Sequence, residues 1–193
     1  MAPGIAGLIL AGGSGERYGS PKAFARLPDG RPFLAVCAEA LKAGGAEPVL
    51  ATLPAGTPAL QAPGLECLPL PAPGLAMFDS LRLGLQHLLA DTGWRAVIVL
   101  PVDHPLVAPA TVRALAASPS PAAIPSHGGK HGHPVLLSRP LAEGIASGAH
   151  PGPTLREVLR TVATADVPVE DPGINANCNT PEALAAALAR RER

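Results

Sequence analysis

A glycine-rich segment near the amino terminus contains the residues best suited to chemistry. It runs from Leu10 to Lys22 with the sequence LAGGSGERYGSPK. Glycines let a backbone approach a ligand closely and direct its N–H groups at anionic oxygens. Arg17 and Lys22 add two cations, one a planar fork and one a point charge. The glycines of the segment are Gly12, Gly13, Gly15 and Gly19. This composition indicates a loop that holds a polyphosphate, and the alternative is a plain connection between a strand and a helix.

Three better-known glycine motifs do not match this spacing. A P-loop requires a lysine followed by Ser or Thr, and the segment has none. A dinucleotide-binding fingerprint that starts at Gly13 would need glycine at position 18, which is Tyr18. A nucleophile elbow around Ser14 fails because Glu16 stands where its last glycine belongs.

A second candidate is the acidic residue that follows the most strand-like run of the chain. Asp103 comes after the apolar residues 96–100 and lies between Pro101 and Pro105. Mg²⁺ prefers oxygen ligands and takes one or two protein carboxylates together with substrate phosphates. We therefore predict that Asp103 binds Mg²⁺, and the alternative is that it caps a turn or the following helix.

Alternating strands and helices must position these residues. Apolar runs predict strands at residues 5–10, 49–53 and 96–100, with short strands near 122–125 and 134–137. Helical spacing predicts helices at 33–43, from Asp79 or Ser80 to 89, at 111–117, over 155–162 and at 181–189, with a proline-rich connection at 54–73. This order predicts one α/β domain over residues 1–193, with a mostly parallel sheet covered by helices on both faces. Ligands bind beyond the carboxyl ends of the strands in such sheets.

The glycine-rich loop resembles that of nucleotidyltransferases with a GT-A-type, Rossmann-like three-layer fold. Their pattern is roughly L-A-[AG]-G-x-[SG]-x-R-x-G-x-P-K, and the matching positions here are Arg17, Gly19, Pro21 and Lys22. The resemblance implies that Arg17 and Lys22 contact the NTP phosphates and stabilise charge on the attacked α-phosphate. It also implies that Asp103 is the metal-binding residue of a D-x-P motif. Its expected nucleotide-binding residues are Leu10, Ala11, Gly12, Gly13 and Gly15.

Residues 175–182, with the sequence NANCNTPE, resemble the N-x-N-T-P-E motif that closes molybdenum-cofactor transferases. By this match Asn177, or Asn179 in its place, contributes to the metal site or contacts the nucleotide phosphates. Asparagines at these positions match the guanylyl branch of the family more than the cytidylyl branch. The alternative is a turn followed by a helix, with Thr180 as the N-cap and Pro181 at the first helical position.

Two further segments match the cytidylyl branch. Gly132-His133-Pro134 resembles its Gly-His-Pro turn, which implies that His133 is on the substrate side and that Lys130 is available to a phosphate. A polar surface loop or a zinc site of His127, His131 and His133 is the alternative. Residues 74–81 resemble a G-M-x-x-S-L segment beside the base and ribose, in which Ser80 matches the serine, although Asp79 and Ser80 also suit a helix cap.

The four matches occur in family order, and the chain is identified as a member of the molybdenum-cofactor nucleotidyltransferases. The resemblance implies Mg²⁺-dependent transfer of CMP or GMP from CTP or GTP to molybdopterin or the molybdenum cofactor, with release of pyrophosphate. It also implies contact with molybdoenzymes or cofactor-handling proteins. Because Gly15 stands where this family usually has serine, a sugar phosphate or another small alcohol phosphate is an alternative acceptor. A non-catalytic nucleotide-binding module is the alternative from another class.

Charge and cysteine content exclude other classes of function. The 15 basic and 15 acidic residues balance, whereas proteins that bind nucleic acid broadly rely on a basic field. The three cysteines, Cys37, Cys67 and Cys178, lack metal-binding spacing and are expected to be reduced and buried. Neither a signal peptide nor an apolar run of membrane-spanning length is visible, so we expect a cytoplasmic protein without a membrane partner.

Overall fold

The computed structural model describes residues 4–13, 21–58, 60, 62–150 and 152–191. The strands are β1 (Gly4–Leu10), β2 (Ala46–Leu53), β3 (Leu65–Pro69), β4 (Trp94–Pro101), β5 (Ala122–His127), β6 (Lys130–His131), β7 (Val135–Ser138) and β8 (Thr164–Pro168). The α-helices are α1 (Phe33–Ala43), α2 (Met77–Leu88), α3 (Pro109–Ala116), α4 (Arg139–Ser147), α5 (Leu155–Arg160) and α6 (Pro181–Arg191). Short 3₁₀ helices occupy Lys22–Phe24 and Pro172–Asn175. Within the described ranges, none of the helices has the length and apolar character needed to cross a lipid bilayer.

All eight strands belong to one mixed sheet. β1 lies between β2 and β4 and is parallel to both, and β3 extends the sheet in parallel beyond β2. On the other side β7 is antiparallel to β4, and β5 is antiparallel to β7 and β6 but parallel to β8. The predicted α/β class with a mostly parallel sheet is confirmed.

Two layers of helices cover the sheet because the central strand alternates its side chains between the two faces. Ile5 and Ile9 of β1 pack into a cluster with the buried residues of α1, α3 and α6. Ala6, Leu8 and Leu10 pack into a second cluster with those of α2, α4 and α5. The three-layer arrangement expected for the fold is therefore present.

Some local predictions were wrong or incomplete. α2 begins at Met77 after Ala76, so neither Asp79 nor Ser80 caps it, and the Ser80 hydroxyl instead donates to the carbonyl of Ala76 at 3.3 Å. The proline-rich connection contains β3, a short strand that was not predicted because it is partly exposed and ends in Pro69. Helix α4 and strand β8 were not predicted. The N-cap prediction for α6 is confirmed, because the Thr180 hydroxyl accepts a hydrogen bond from the Ala183 N–H.

The sheet brings the loops after β1 and β4 side by side. Leu10 pairs with Pro101 in the parallel register of these strands. The Val102 N–H then donates to the carbonyl of Leu10 at 3.1 Å, which extends the pairing by one residue. The glycine-rich loop and the turn at Asp103 therefore leave the same edge of the sheet at neighbouring positions.

Candidate active site

Three residues that the sequence placed in separate motifs meet at this edge. Lys22 starts the 3₁₀ helix that follows the glycine-rich loop, and its Nζ donates a hydrogen bond to Oδ1 of Asn179, 157 residues away. The same Nζ lies 3.6 Å from Oδ2 of Asp103, and both side chains are largely shielded from solvent. A cation, a carboxylate and an amide oxygen thus converge at one point.

The backbone explains why Asn179 reaches Asp103. The N–H of Cys178 donates to the carbonyl of Asp103 at 2.7 Å, so the segment before α6 lies against the turn after β4. The Cys178 side chain is buried, and burial together with the nearby Asp103 charge raises the pKa of this thiol to about 11. Cys178 therefore anchors the segment as a neutral packing residue. The buried thiols expected from the sequence are confirmed for Cys37 and Cys178, whereas Cys67 is half-buried.

The buried carboxylate of Asp171 fixes the position of the same segment through hydrogen bonds. It accepts hydrogen bonds from the Ala108 N–H at 2.8 Å, the Thr111 hydroxyl at 2.7 Å and the Gly173 N–H at 2.9 Å. These contacts join the 3₁₀ helix Pro172–Asn175 to the start of α3. Gly173 makes this approach feasible, since a Cβ there would lie 2.0 Å from the Leu106 carbonyl oxygen. Sequence reasoning did not identify Asp171, because nothing local distinguishes it from a turn residue.

The environment of Asp103 keeps its side chain ionised. Burial opposes ionisation, but the Nδ1–H of His104 donates to Oδ1 at 3.0 Å, and the charges of His104 and Lys22 also favour the carboxylate. The net effect lowers the pKa of the Asp103 carboxyl below its usual value. Sequence reasoning assigned no role to His104, which is buried directly against the candidate metal ligand.

His133 contacts this group from the opposite side. Its ring packs edge to face on that of His104, with centroids 4.7 Å apart. The position is set by the backbone, because the His133 N–H donates to the Ile174 carbonyl at 3.0 Å and a Cβ at Gly132 would clash with that carbonyl. Burial and the neighbouring His104 lower the pKa of His133 to about 4. Its buried Nδ1 has no hydrogen-bond partner in the part of the chain that the structure describes.

The other histidines of the same segment point elsewhere. His127 Nδ1 pairs with the carbonyl of Val169 at 3.0 Å, and His131 lies 3.4 Å from the carboxylate of Asp166. Lys130 is exposed on β6. Among residues 4–13, 21–58, 60, 62–150 and 152–191, no group of three or more His, Cys, Asp or Glu side chains is arranged to hold a metal ion.

The first loop lies beside the start of α2. The Ala11 N–H donates to the Thr52 carbonyl at 3.1 Å, which continues the strand pairing past Leu10. A Cβ at Gly12 would lie 3.1 Å from Oγ of Ser80, whereas a Cβ at Gly13 would meet no described atom within 4 Å. Gly12 and Ser80 are therefore neighbours, as a shared nucleotide site would require. Gly15 and Arg17 lie outside the described residues, and their roles stay predictions.

An apolar cavity of about 390 Å³ opens beside this site. Its apolar lining includes Leu10, Met77, Phe78, Leu81, Val99 and Leu155. Pro101 and His133 line the same cavity, so it adjoins the turn that bears Asp103. Met77 is 61% exposed, which is unusual for a large apolar side chain, and it lies on the cavity lining. Sequence reasoning missed this cavity because its lining comes from separate elements of the chain.

The oxygen donors at this point fit a hard divalent cation. Asp103 offers an ionised carboxylate whose two oxygens have only His104 and Lys22 as close partners among the described residues. Asn179 adds an amide oxygen beside it. Asn177, the residue that the motif match favoured, is exposed, and its N–H donates to the Asn175 carbonyl at 3.1 Å. Carboxylate and amide oxygens, completed by phosphates, are the usual ligands of Mg²⁺.

The sequence matches one family over most of its length. The model of the MobA-like NTP transferase domain matches residues 7–168. A curated relative, the bifunctional enzyme IspD/IspF of Novosphingobium aromaticivorans, is 35% identical over 101 residues, which are 49% of this chain. The match covers 25% of that relative, so this chain spans only about a quarter of its length.

Solved structures share the fold along the whole chain. Rv0371c of Mycobacterium tuberculosis H37Rv has a TM-score of 0.78 at 20% identity and covers 98% of this chain and 99% of its own, and it has also been solved in complex with manganese. The 2-C-methyl-D-erythritol 4-phosphate cytidylyltransferase of Thermus thermophilus has a TM-score of 0.72 at 22% identity, covering 97% and 99%. Molybdopterin-guanine dinucleotide biosynthesis protein A of Archaeoglobus fulgidus has a TM-score of 0.68 at 18% identity, covering 97% and 98%.

Proposed function

Because this chain belongs to the family of MobA-like NTP transferase domains, we propose that it transfers CMP or GMP from CTP or GTP to a phosphorylated acceptor. The acceptor in this proposal is molybdopterin or the molybdenum cofactor, and pyrophosphate is released. The observation that carries the proposal is the convergence of Lys22, Asp103 and Asn179 at the edge of the sheet where the first loop begins. Residues of three family motifs are thereby within reach of one bound triphosphate.

The chemistry asked of these residues is positioning and charge stabilisation. An oxygen of the acceptor phosphate attacks the α-phosphorus of the NTP, and the bond from that phosphorus to the leaving pyrophosphate breaks. The attacking oxygen is already anionic, so no base has to remove a proton from it, and direct transfer needs no covalent enzyme intermediate. Lys22, together with Arg17 as predicted from the motif, stabilises the charge on the phosphate oxygens. Contacts with Asp103 and Asn179 position the Lys22 ammonium for this role.

A divalent cation fits the same group of residues. Asp103 and Asn179 would hold it, with Asn177 as the alternative that the motif match suggests. When bound, Mg²⁺ neutralises phosphate charge and orients the α-phosphate. The buried His104 keeps the Asp103 carboxylate ionised and oriented, which makes it a positioning residue for the metal ligand. The manganese complex of Rv0371c supports a divalent ion in a protein of this fold.

We assign the two substrates to neighbouring parts of this edge of the sheet. Gly12, Ser80 and Leu70 lie together on the β2 side of β1, which suits the nucleotide. The apolar cavity reaches Val99 of β4 and His133, just before β7, on the other side, which suits the acceptor. A flat heterocycle such as a pterin matches an apolar lining, whereas the hydroxyls of a sugar phosphate would lose hydrogen bonds to water there.

One alternative acceptor has its own support. The curated relative is an IspD/IspF enzyme at 35% identity, and Gly15 stands where molybdenum-cofactor transferases usually have serine. Both observations favour CMP transfer to a small alcohol phosphate such as methylerythritol phosphate. The apolar lining of the cavity favours the pterin acceptor, and the assay below compares the two directly.

The test is pyrophosphate release with each of the four NTPs, Mg²⁺ or Mn²⁺, and either molybdopterin, its molybdenum form or methylerythritol phosphate. We expect release with CTP or GTP and a pterin acceptor, and loss of release in EDTA. Release only with methylerythritol phosphate would move the function to the alternative. NTP binding in a thermal-shift assay without release for any pair would indicate a non-catalytic nucleotide-binding module.

Two lysine variants test whether the activity arises at the proposed site. Lys22→Met should abolish most of the release, because it removes the cation beside the phosphates while keeping the length of the side chain. Lys42→Met is the matched control, since Lys42 is an exposed lysine of α1 that bonds only the Pro63 carbonyl among the described residues. Equal activity of the two variants would contradict the proposed site.

A further inference from the structure

A second cavity, of about 510 Å³, lies next to the apolar one and is lined by Arg82 and His150. We call it the Arg82 cleft. Ala76, Phe78 and Pro153 line both cavities and form the partition between them, so the two spaces are neighbours. The apolar cavity adjoins the candidate active site through Pro101 and His133. Neither Pro101 nor His133 lines the Arg82 cleft, so the cleft meets the apolar cavity at a different part of its lining.

Arg82, which lines this cleft, has a buried donor without an acceptor among the described residues. Its Nε is buried and has no hydrogen-bond partner within the described part of the chain. The guanidinium belongs to a half-buried side chain of α2. Five N–H donors in a planar fork match the oxygens of a phosphate or carboxylate. A buried donor left without an acceptor is costly, and an oxyanion in the cleft would remove that cost.

Two glycines near the end of α4 make room for the basic side chains. A Cβ at Gly144 would lie 2.6 Å from the His150 ring, and a Cβ at Gly148 would lie 3.2 Å from Nη2 of Arg82. Gly148 also has φ +81°, a conformation that side chains with a Cβ rarely adopt. The end of α4 is therefore shaped so that an arginine and a histidine approach one space.

One acidic side chain also lines the cleft. Asp79 is exposed to solvent, and its charge is screened by water more effectively than that of the half-buried Arg82. Asp79 weakens the attraction of the cleft for an anion. It does not accept a hydrogen bond from Arg82, and the described residues include no ion pair between the two side chains. Asp79→Asn should accordingly strengthen binding of an anion.

We propose that Arg82 and His150 form an oxyanion subsite that binds an anionic group of the acceptor remote from its reacting phosphate. The assignment to the acceptor rests on the proposed function, since the acceptor body would fill the apolar cavity between the subsite and Asp103. Arg82 would donate through its fork, and His150 through a ring N–H. The subsite would then favour an acceptor that carries an anionic group besides its reacting phosphate, so it would favour the molybdenum form, with the oxygens on its metal, over metal-free molybdopterin.

Local binding is measured without any acceptor, with inorganic phosphate as the probe. In protein labelled with ¹⁵N-glycine, the amide signals of Gly148 and Gly152 report on the Arg82 cleft, while those of Gly12 and Gly13 report on the first loop. We expect phosphate to shift the Gly148 and Gly152 signals relative to chloride at equal ionic strength. Arg82→Met should raise the phosphate Kd at these signals about tenfold, the loss expected for a charged hydrogen bond. Asp79→Asn should lower it.

The matched control is Arg95→Met, since Arg95 is an exposed arginine of β4 that donates to the Ala116 carbonyl. It should leave the phosphate response of Gly148 and Gly152 unchanged. If Arg82→Met does not fold, His150→Asn takes its place, with a smaller increase in Kd expected. The subsite would be overturned if phosphate did not shift the Gly148 and Gly152 signals. It would also be overturned if Arg82→Met responded to phosphate as strongly as the wild type and Arg95→Met.

The assignment to the acceptor has a separate kinetic test. Arg82→Met should raise the KM for the acceptor about tenfold while the KM for the NTP stays within about twofold. Phosphate binding in the cleft with an unchanged acceptor KM would overturn the assignment. If wild-type protein releases no pyrophosphate at all, the proposed function fails, yet the glycine signals still decide whether the cleft binds an oxyanion.

Discussion

Two carboxylates near the same edge of the sheet, Asp171 buried and Asp103 half-buried, have opposite surroundings. Asp171 is 4% exposed and accepts three hydrogen bonds of 2.7–2.9 Å from Ala108, Thr111 and Gly173. Asp103 accepts one hydrogen bond from His104, and its other oxygen faces the Lys22 ammonium at 3.6 Å. The hydrogen bonds to the Asp171 carboxylate all come from neutral donors, whereas the Asp103 carboxylate lies beside a histidine and a lysine ammonium.

The difference indicates how the two aspartates divide their roles. A carboxylate whose oxygens are satisfied by backbone and hydroxyl groups has little capacity left for a ligand, so Asp171 stabilises the connection between α3 and the segment before α6. Asp103 keeps acceptor capacity and has a lowered pKa, which is what the proposed exchange of Lys22 for a cation brought by the substrate requires. Substitutions at the two positions should therefore affect different observables.

The largest effect is expected from Asp103→Asn. This change keeps the shape of the side chain and removes its charge, so pyrophosphate release should fall by a factor on the order of 10² to 10³, as for loss of a group that stabilises transition-state charge. The free energy of unfolding should fall by less than in Asp171→Ala, because the change removes only the charge interactions with His104 and Lys22 that lower the pKa of Asp103. Steady-state release and urea unfolding of the same preparation provide the two measurements. A large loss of stability with normal activity would reverse the assigned roles.

Asp171→Ala should give the converse result. It leaves the Ala108 and Gly173 N–H groups and the Thr111 hydroxyl without their acceptor, and each buried unsatisfied donor costs about 1–3 kcal/mol before relaxation. We expect the free energy of unfolding to fall by about 3 kcal/mol, with activity below the unfolding transition retained within about tenfold. Glu143→Gln is the control, since Glu143 is an exposed carboxylate paired with Arg139. Complete loss of activity in a stable Asp171→Ala protein would assign Asp171 to the active site.

Acid should act on the surroundings of Asp103. The unfolded chain takes up a proton at His133 near pH 6.5, whereas the folded protein does so only at about pH 4. The unfolded state thus binds more protons in this interval, and the free energy of unfolding should decrease by about 2–3 kcal/mol as the pH falls through it. The lowered pKa of Asp103 extends the loss below pH 3.8. Urea unfolding at several pH values measures the slope.

His133→Gln removes the group that titrates in this interval and should flatten the slope between pH 6.5 and about 4. His87→Gln is the control, because His87 is an exposed histidine paired with Glu66. An unchanged slope in His133→Gln would show that the acid sensitivity has another origin.

The smallest effect separates the two asparagines. Asn179→Ala should reduce pyrophosphate release about tenfold, the cost of one polar contact to a charged group, because Asn179 contacts Lys22 beside Asp103. Asn177→Ala should change it less than about threefold, because its exposed side chain makes no such contact among the described residues. A stronger effect at Asn177 would restore the residue that the motif match favoured as the metal ligand.

Local patterns predicted much of the scaffold. The apolar runs at β1, β2 and β4 were identified because buried strands keep a continuous apolar character, and α1 was predicted over the same residues that it occupies. Edge strand β3 and helix α4 were missed, because exposure and the initial Arg139-Pro140 weaken the local signal. The start of α2 was misplaced, since Ser80 bonds back to Ala76 within the helix and does not cap it.

The candidate site was likewise predicted only in part from the sequence. The motifs identified Lys22, Asp103 and the asparagine segment one by one, from residue type and spacing along the chain. Tertiary structure decided that these residues meet and that Asn179 is the partner of Lys22. It also decided the contacts of Asp171 and the two cavities. Periodicity and motif spacing are properties of neighbouring residues, so they determine which strands and helices form and which groups are available. Contact between residues 157 positions apart depends on strand order and side-chain packing, which only the folded chain sets.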